Sequence, residues 1–191
     1  MPSISKQSTL SEVAALVSDA LQEAGIAATL SGGGAVSIYS ENVYQSVDLD
    51  FVTAAMIEDL KPALATLGFR HTGGTRLSQF VHPLVEWYVE FTAAPLTFGN
   101  LRVDHDECSV IDTAVGRLRI VSPTQSVMDR LAASIHWGDP QARDQAILVA
   151  INQEIDWQSL EAWFDNEGAA AGEFERFRKS VESSRQRATS R

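Results

Sequence analysis

Two aspartates stand two positions apart in the apolar stretch Val47–Val52. If this stretch is a β-strand, Asp48 and Asp50 project from one face, while Leu49 and Phe51 project from the other face into a core. Two carboxylates about 7 Å apart on a strand repel each other, and a cation between them relieves that repulsion. Mg²⁺ prefers carboxylate oxygens and also binds substrate phosphates. An edge strand with an acidic outer face is the alternative interpretation, and it needs no metal.

Three consecutive glycines precede this strand. Gly32, Gly33 and Gly34 lie between a predicted short strand, Ile26–Ser31, and one or two predicted helical turns, Ala35–Ser40. Glycines let backbone amides approach a phosphate closely, and the N-terminus of a helix favours anions. No Gly-Lys-Ser/Thr follows, so this is not a Walker loop. The pattern indicates a phosphate-binding turn or, without a ligand, a flexible turn.

A third carboxylate would allow two metal ions to bind. Glu86, Tyr88 and Glu90 share one face of the next predicted strand, Glu86–Thr92. Either glutamate would stand beside the aspartates if the two strands pair. A polar outer face explains the same pattern equally well.

A second cluster is predicted on the helix that should span Pro123–Trp137. Arg130 and Trp137 are seven residues apart and therefore share one helical face. Arg130 would pair with a phosphate and Trp137 would stack on a base. The alternative is an Asp129–Arg130 network that fixes the helix to the sheet, with Trp137 buried in the interface. His136 is typical of an interface histidine whose hydrogen bonds are satisfied.

Hydrophobic periodicity and turn signals place the elements that must position these residues. A capping box of Thr9 and Glu12 starts a first helix, which Gly25 ends. Met56–Leu67 is a second helical stretch, in which Pro62 implies a kink or a helix that starts near Lys61. Two β-hairpins are predicted, one from Leu77–Val81 and Glu86–Thr92 and one from Ser109–Ala114 and Arg117–Val121.

The chain becomes helical after Ser122. Ser122-Pro123-Thr124-Gln125 is a strong helix start, because it combines a cap, a proline in the first turn and a capping box. Four helices are predicted, at about 123–137, from after Pro140 to about 152, from after Asp156, and at about 173–185. The pattern predicts an α+β protein with a mixed sheet flanked by helices over residues 1–121, followed by a small C-terminal helical region over residues 122–191.

Composition excludes several classes of protein. The 191 residues are 45% hydrophobic and 21% charged, which is ordinary globular composition. No apolar run is long enough to span a bilayer, and no basic-then-apolar signal opens the chain, so a cytoplasmic location without membrane association is expected. The single cysteine, Cys108, excludes a disulfide framework and a cysteine-rich zinc site.

Net charge restricts the partners. The chain carries −10, although residues 173–191 alone carry +3. Proteins that hold nucleic acid through phosphate contacts usually present a basic patch, so DNA is not an expected partner. RNA would have to meet a local basic element such as Arg130 or the last helix.

These residues resemble the nucleotidyltransferase (DNA polymerase beta) superfamily. In its signature a Gly-Gly or Gly-Ser pair precedes an acidic–apolar–acidic–apolar strand, as Gly33-Gly34 precedes Asp48-Leu49-Asp50-Phe51 here. More closely, the chain resembles bacterial nucleotidyltransferases related to abortive-infection toxins. That resemblance covers about residues 26–150 and rests also on Val89-Glu90-Phe91 with Pro95-Leu96 and Gly99, and on Pro123-Thr124, Asp129-Arg130-Leu131-Ala132, His136-Trp137, Asp139 and Gln145-Ala146.

The resemblance implies a nucleotidyltransferase-type fold and a Mg²⁺-dependent reaction. Asp48, Asp50 and Glu90 would be catalytic and would bind two Mg²⁺ ions about 3.5–4 Å apart. Gly33 and Gly34 would hold the β- and γ-phosphates, and Arg130 would complete the nucleotide site. A nucleoside monophosphate would pass from an NTP to a hydroxyl of RNA or of a small molecule, in a toxin-like role that would imply an antitoxin partner.

The sequence departs from the family pattern at two points. The loop Glu41–Gln45 lacks the basic residue that active members often carry before the acidic strand, and Glu90 stands where many members have aspartate. These departures favour the alternative expectation, a catalytically silent protein of this fold that binds nucleotides or another protein.

Overall fold

A computed structural model describes residues 3–72 and 78–189 of the chain. The seven helices in this part of the chain are α1 Leu10–Glu23, α2 Gly32–Tyr39, α3 Ile57–Ala65, α4 Pro123–Trp137, α5 Ala142–Asn152, α6 Trp157–Asn166 and α7 Glu173–Thr189. The nine strands are β1 Ala28–Ser31, β2 Asp48–Thr53, β3 Arg70–His71, β4 Ser78–Val81, β5 Tyr88–Ala93, β6 Leu96–Phe98, β7 Leu101–Val103, β8 Ser109–Asp112 and β9 Arg117–Ile120.

Seven of the strands form one mixed sheet in the order β3-β4-β5-β2-β1-β9-β8. The central strand β2 runs antiparallel to β1 and parallel to β5. The remaining strands, β6 and β7, form a separate antiparallel ribbon. The mixed sheet flanked by helices and followed by C-terminal helices confirms the predicted α+β class.

Local signals in the sequence define most helix ends. The predicted capping boxes form at Thr9 and at Ser122, and Gly138 ends α4 with a left-handed backbone, φ +65°. Helix α3 starts at Ile57 and keeps Pro62 inside it, so the helix does not begin near Lys61.

Both predicted hairpins form, as β4–β5 and β8–β9. Leu77, the first residue of the predicted strand Leu77–Val81, lies outside the described residues. The sequence reading missed β3, β6 and β7, because strands of two or three residues show too little alternation to be recognised.

One hydrophobic cluster joins the sheet to the C-terminal helices. It includes Leu49, Phe51 and Val89 from the central strands together with Val149 and Phe177 from the helical region. The division at residue 122 stays a prediction. None of the described helices is long and apolar enough to cross a membrane.

Candidate active site

The pairing of β2 with β5 brings three carboxylates together. In this parallel pair Asp50 lies opposite Glu90, and Asp48 lies opposite Tyr88. The alternate residues Leu49 and Val89 are fully buried on the other face, as period-two alternation requires. The register therefore places the acidic side chains of both strands on one face.

Asp48, Asp50 and Glu90 each offer a carboxylate oxygen, and these oxygens lie within 4.8 Å of one another. Among the described residues this is the one group of acidic, histidine or cysteine side chains that meets this spacing. Glu86, the other glutamate that the sequence allowed as third carboxylate, precedes β5 and is exposed beside Trp87 at a different cavity. The pairing register therefore selects Glu90.

Electrostatics mark Asp50 as the centre of the cluster. Burial, reinforced by the nearby charges of Asp48 and Glu90, raises the pKa of Asp50 to about 7. Burial and the charge of Asp48 also raise the pKa of Glu90, while a hydrogen bond from Gln79 opposes this change. The cluster therefore concentrates negative charge that a bound cation would neutralise.

Neighbouring side chains hold two of the carboxylates. The Ser46 hydroxyl donates to Asp48 Oδ1 at 2.6 Å, and the Tyr88 hydroxyl lies 3.4 Å from Asp48 Oδ2. Gln79 Nε2 donates to Glu90 Oε1 at 3.2 Å. Such outer contacts orient metal ligands and are an ordinary part of metal sites. Sequence reasoning missed all three donors, because no motif marks them.

The three glycines form the first turn of α2, whereas the sequence predicted a helix from Ala35. Gly32 has φ +62°, and a Cβ at this position would lie 2.5 Å from Asp50 Oδ2. A Cβ on Gly33 would lie 2.7 Å from Ser46 Oγ, and one on Gly34 would lie 3.1 Å from Leu49 Cδ2. The glycines therefore allow α2 to pack directly against the acidic strand.

Backbone amides of the same turn border the cluster. Gly32 N donates to Asp129 Oδ2 at 3.2 Å. The amides of Gly33 and Gly34 follow in the first helical turn, where an α-helix supplies no backbone acceptor. Because α2 has eight residues and starts beside Asp50, its N-terminus fits the predicted phosphate-binding element.

The predicted Arg130–Trp137 cluster separates into two environments. Arg130 donates to Asp129 Oδ2 through Nε at 3.2 Å and Nη2 at 2.8 Å, and Ser31 Oγ donates to the same oxygen at 3.3 Å. This is the Asp129–Arg130 network that the sequence offered as an alternative. Trp137 is 84% exposed, so the expectation that it lies buried in the interface is wrong. The nucleotide-binding role of Arg130 stays a prediction.

His136 is held by a carboxylate that the sequence gave no reason to select. Its Nε2 lies 2.8 Å from Glu167 Oε2. The Glu167 side chain is fully buried and accepts from Asn100 N at 2.6 Å. This contact ties the β6–β7 turn to α4, as expected for a histidine with satisfied hydrogen bonds.

Two other predicted candidates lie away from the cluster. The stretch Asp104–Glu107 ends in a short 3₁₀ turn, in which His105 Nδ1 lies 2.7 Å from Thr29 Oγ1. Burial raises the pKa of the Cys108 thiol to about 11, which disfavours a reactive thiolate.

Much of the positive charge of α7 is compensated within the protein. Arg176 pairs with Glu173 at 2.7 Å, and Arg178 pairs with Glu182 at 3.4 Å. Arg185 donates to Ala150 O at 2.6 Å.

Comparisons with known proteins add a distant likeness. No model of a known protein family matches the chain, and no curated protein matches it. Among solved structures it is similar to the antibiotic-resistance factor ANT(2'')-Ia in solution, with a TM-score of 0.48, 13% identity, and coverage of 95% of this chain and 97% of that one. A crystal structure of ANT(2'')-Ia in complex with adenylyl-2''-tobramycin gives a TM-score of 0.47, 15% identity, and coverage of 91% and 97%. At these TM-scores the likeness assigns no residue a role.

Proposed function

We propose that this protein is a Mg²⁺-dependent nucleotidyltransferase that transfers a nucleoside monophosphate from an NTP to a hydroxyl group. The observation that carries the proposal is the convergence of Asp48, Asp50 and Glu90 beside the N-terminus of α2. Carboxylates bind Mg²⁺, and the first-turn amides of a helix bind phosphate, so this corner of the sheet fits both parts of a Mg²⁺–triphosphate.

The three carboxylates would hold two Mg²⁺ ions. Bound there, Mg²⁺ would neutralise triphosphate charge and lower the pKa of the acceptor hydroxyl. The amides of Gly33 and Gly34 would bind the β- and γ-phosphates, while Ser46 and Gln79 would keep Asp48 and Glu90 oriented. The acceptor oxygen would form a bond to the α-phosphorus, and the bond between that phosphorus and the bridging oxygen would break to release pyrophosphate.

A small molecule is the acceptor that the charge distribution favours. The chain carries −10, and Arg176 and Arg178 of α7 are paired with glutamates. Arg130 is likewise paired, with Asp129. Broad electrostatic capture of an RNA backbone therefore has little support, and a toxin-like action on RNA becomes an outcome for the experiment to detect.

The experiment incubates the full chain with Mg²⁺ and each α-labelled NTP, against total RNA and against a small-molecule extract. Label transfer with pyrophosphate release is expected, and Asp48→Asn should reduce it about 100-fold or more, because several kcal/mol of charge stabilisation depends on the metal ligands. Asp59→Asn, an exposed residue of α3, is the matched control.

Unchanged transfer in a folded Asp48→Asn variant would rule out this assignment. Nucleotide binding without any pyrophosphate release would instead identify the protein as a catalytically silent member of the fold.

A further inference from the structure

Trp137 is exposed to an unusual degree for its type. Its side chain ends α4 with 84% of its surface accessible, whereas tryptophans are usually well buried. The next residue, Gly138, has φ +65° and ends the helix at this point, so the ring stands at a fixed end of a regular element. An exposed indole is a large flat surface on which a planar ligand can stack.

The indole borders a cleft of about 600 Å³ between α4 and the turn of the β6–β7 ribbon. Polar groups from both elements line it, including Asn100, Asp129, Arg130 and His136. The buried Glu167 carboxylate fixes two of these walls, because it accepts from Asn100 N at 2.6 Å and contacts His136 Nε2 at 2.8 Å. The cleft is therefore preformed and does not depend on a mobile side chain at its back.

The cleft adjoins the acidic cluster. Asp129 lines the cleft and accepts from the amide of Gly32, the residue against which Asp50 packs. Arg130 lies close enough to Asp50 for its charge to act on that carboxyl group. From Arg130 to Trp137 the helix advances about 10.5 Å, which is comparable with the reach from the phosphates to the base of one extended nucleotide.

We propose that the cleft between α4 and the β6–β7 turn binds the base of the nucleoside triphosphate, which stacks on Trp137. This inference rests on the proposed function, since the triphosphate must lie at the acidic cluster. Stacking on an aromatic side chain tolerates every base, so Trp137 would supply affinity. The polar edges of Asn100 and His136 would supply any preference among bases.

The test compares two probes that share the phosphate chain and differ in the base. Titration calorimetry with Mg²⁺ measures binding of α,β-methylene-ATP, which resists transfer, and of inorganic tripolyphosphate. In the unaltered protein the nucleotide should bind more tightly than tripolyphosphate. Trp137→Ala should weaken the nucleotide about tenfold and leave tripolyphosphate unchanged, because stacking of one base on an aromatic ring typically supplies that much affinity.

Two variants serve as controls. Trp137→Phe keeps an aromatic ring and should recover most of the nucleotide affinity. Ile135→Ala removes another exposed side chain of α4 that does not line the cleft, so neither probe should bind differently.

The failures are distinguishable. If both probes bind but the nucleotide has no advantage, or if Trp137→Ala weakens both equally, the base site is wrong and the proposed function stands. If neither probe binds in the presence of Mg²⁺, the proposed function fails as well. Exposure of Trp137 to a protein partner would leave nucleotide affinity unaffected by Trp137→Ala, which also overturns the base site.

Discussion

The two ends of the paired strands β1 and β2 differ in chemistry although one backbone ladder joins them. At one end Ser31 lies opposite Asp50, beside the glycine turn and Glu90. At the other end a cavity of about 800 Å³ opens beside Thr53, larger than the cleft at Trp137. Its lining includes two ionisable residues, Asp59 and His105.

The strand register explains this difference. Thr53 lies opposite Ala28 on one neighbour and Ala93 on the other, so the ladder brings no charged side chains together there. Two rungs of the same ladder, at Asp48 and Asp50, place all three carboxylates within reach of one ion. Convergence of ionisable groups therefore locates the candidate site better than cavity size does.

Glycine substitutions at the two ends give the largest expected contrast. Gly32 and Gly25 both have positive φ, +62° and +73°, but a Cβ on Gly25 would meet no atom within 4 Å, while one on Gly32 would meet Asp50 Oδ2 at 2.5 Å. Gly25→Ala should cost about 1 kcal/mol from backbone strain alone, and Gly32→Ala about 3 kcal/mol because a steric clash adds to it. Urea unfolding of the two variants measures this difference. Equal losses would show that the contact with Asp50 is not tight.

The second contrast is pH dependence. Folded Asp50 keeps its proton up to a pKa of about 7, whereas the unfolded chain loses it near 3.8. Because the unfolded state binds fewer protons in this window, the stability of the metal-free protein should fall as the pH rises from about 4 to 7. Asp50→Asn should abolish that fall and leave the variant more stable at pH 8 by on the order of 2 kcal/mol.

Asp59→Asn is the control at the other end of the sheet, where the exposed carboxyl should contribute almost nothing. Denaturant titrations at each pH give the curves. Parallel curves for the unaltered protein and Asp50→Asn would contradict the buried, charge-crowded position of Asp50.

The smallest contrast concerns Ser46. Removal of its 2.6 Å hydrogen bond to Asp48 should weaken binding of Mn²⁺, used as a probe for Mg²⁺, about tenfold in Ser46→Ala. Ser46→Thr keeps the hydroxyl and should retain most of the affinity. Electron paramagnetic resonance of free Mn²⁺ measures both, and identical binding in the three proteins would show that the hydroxyl does not orient Asp48.

The helical parts of the fold were predictable because their signals are local. The capping boxes of Thr9 and Ser122 and the stop at Gly138 use residues within a few positions of each helix end. The β6–β7 ribbon was missed, since three-residue strands carry no periodic signal and this ribbon is stabilised by tertiary contacts such as Trp163 Nε1 to Phe98 O at 2.9 Å.

The candidate site divides in the same way. The sequence identified the aspartate pair and the glycines, but Ser46, Gln79 and Glu167 became visible only through contacts between distant segments. It left two environments open for Trp137, and the helix end at Gly138 leaves the ring exposed.

By itself the sequence determined that Asp48 and Asp50 share a face, because side chains alternate along a strand whatever its neighbours are. It left open whether Glu86 or Glu90 would join them. Tertiary structure decided for Glu90, since the parallel pairing of β2 with β5 sets Asp50 opposite Glu90 and leaves Glu86 before the strand. That choice depends on a register between segments about 40 residues apart, which no local pattern contains.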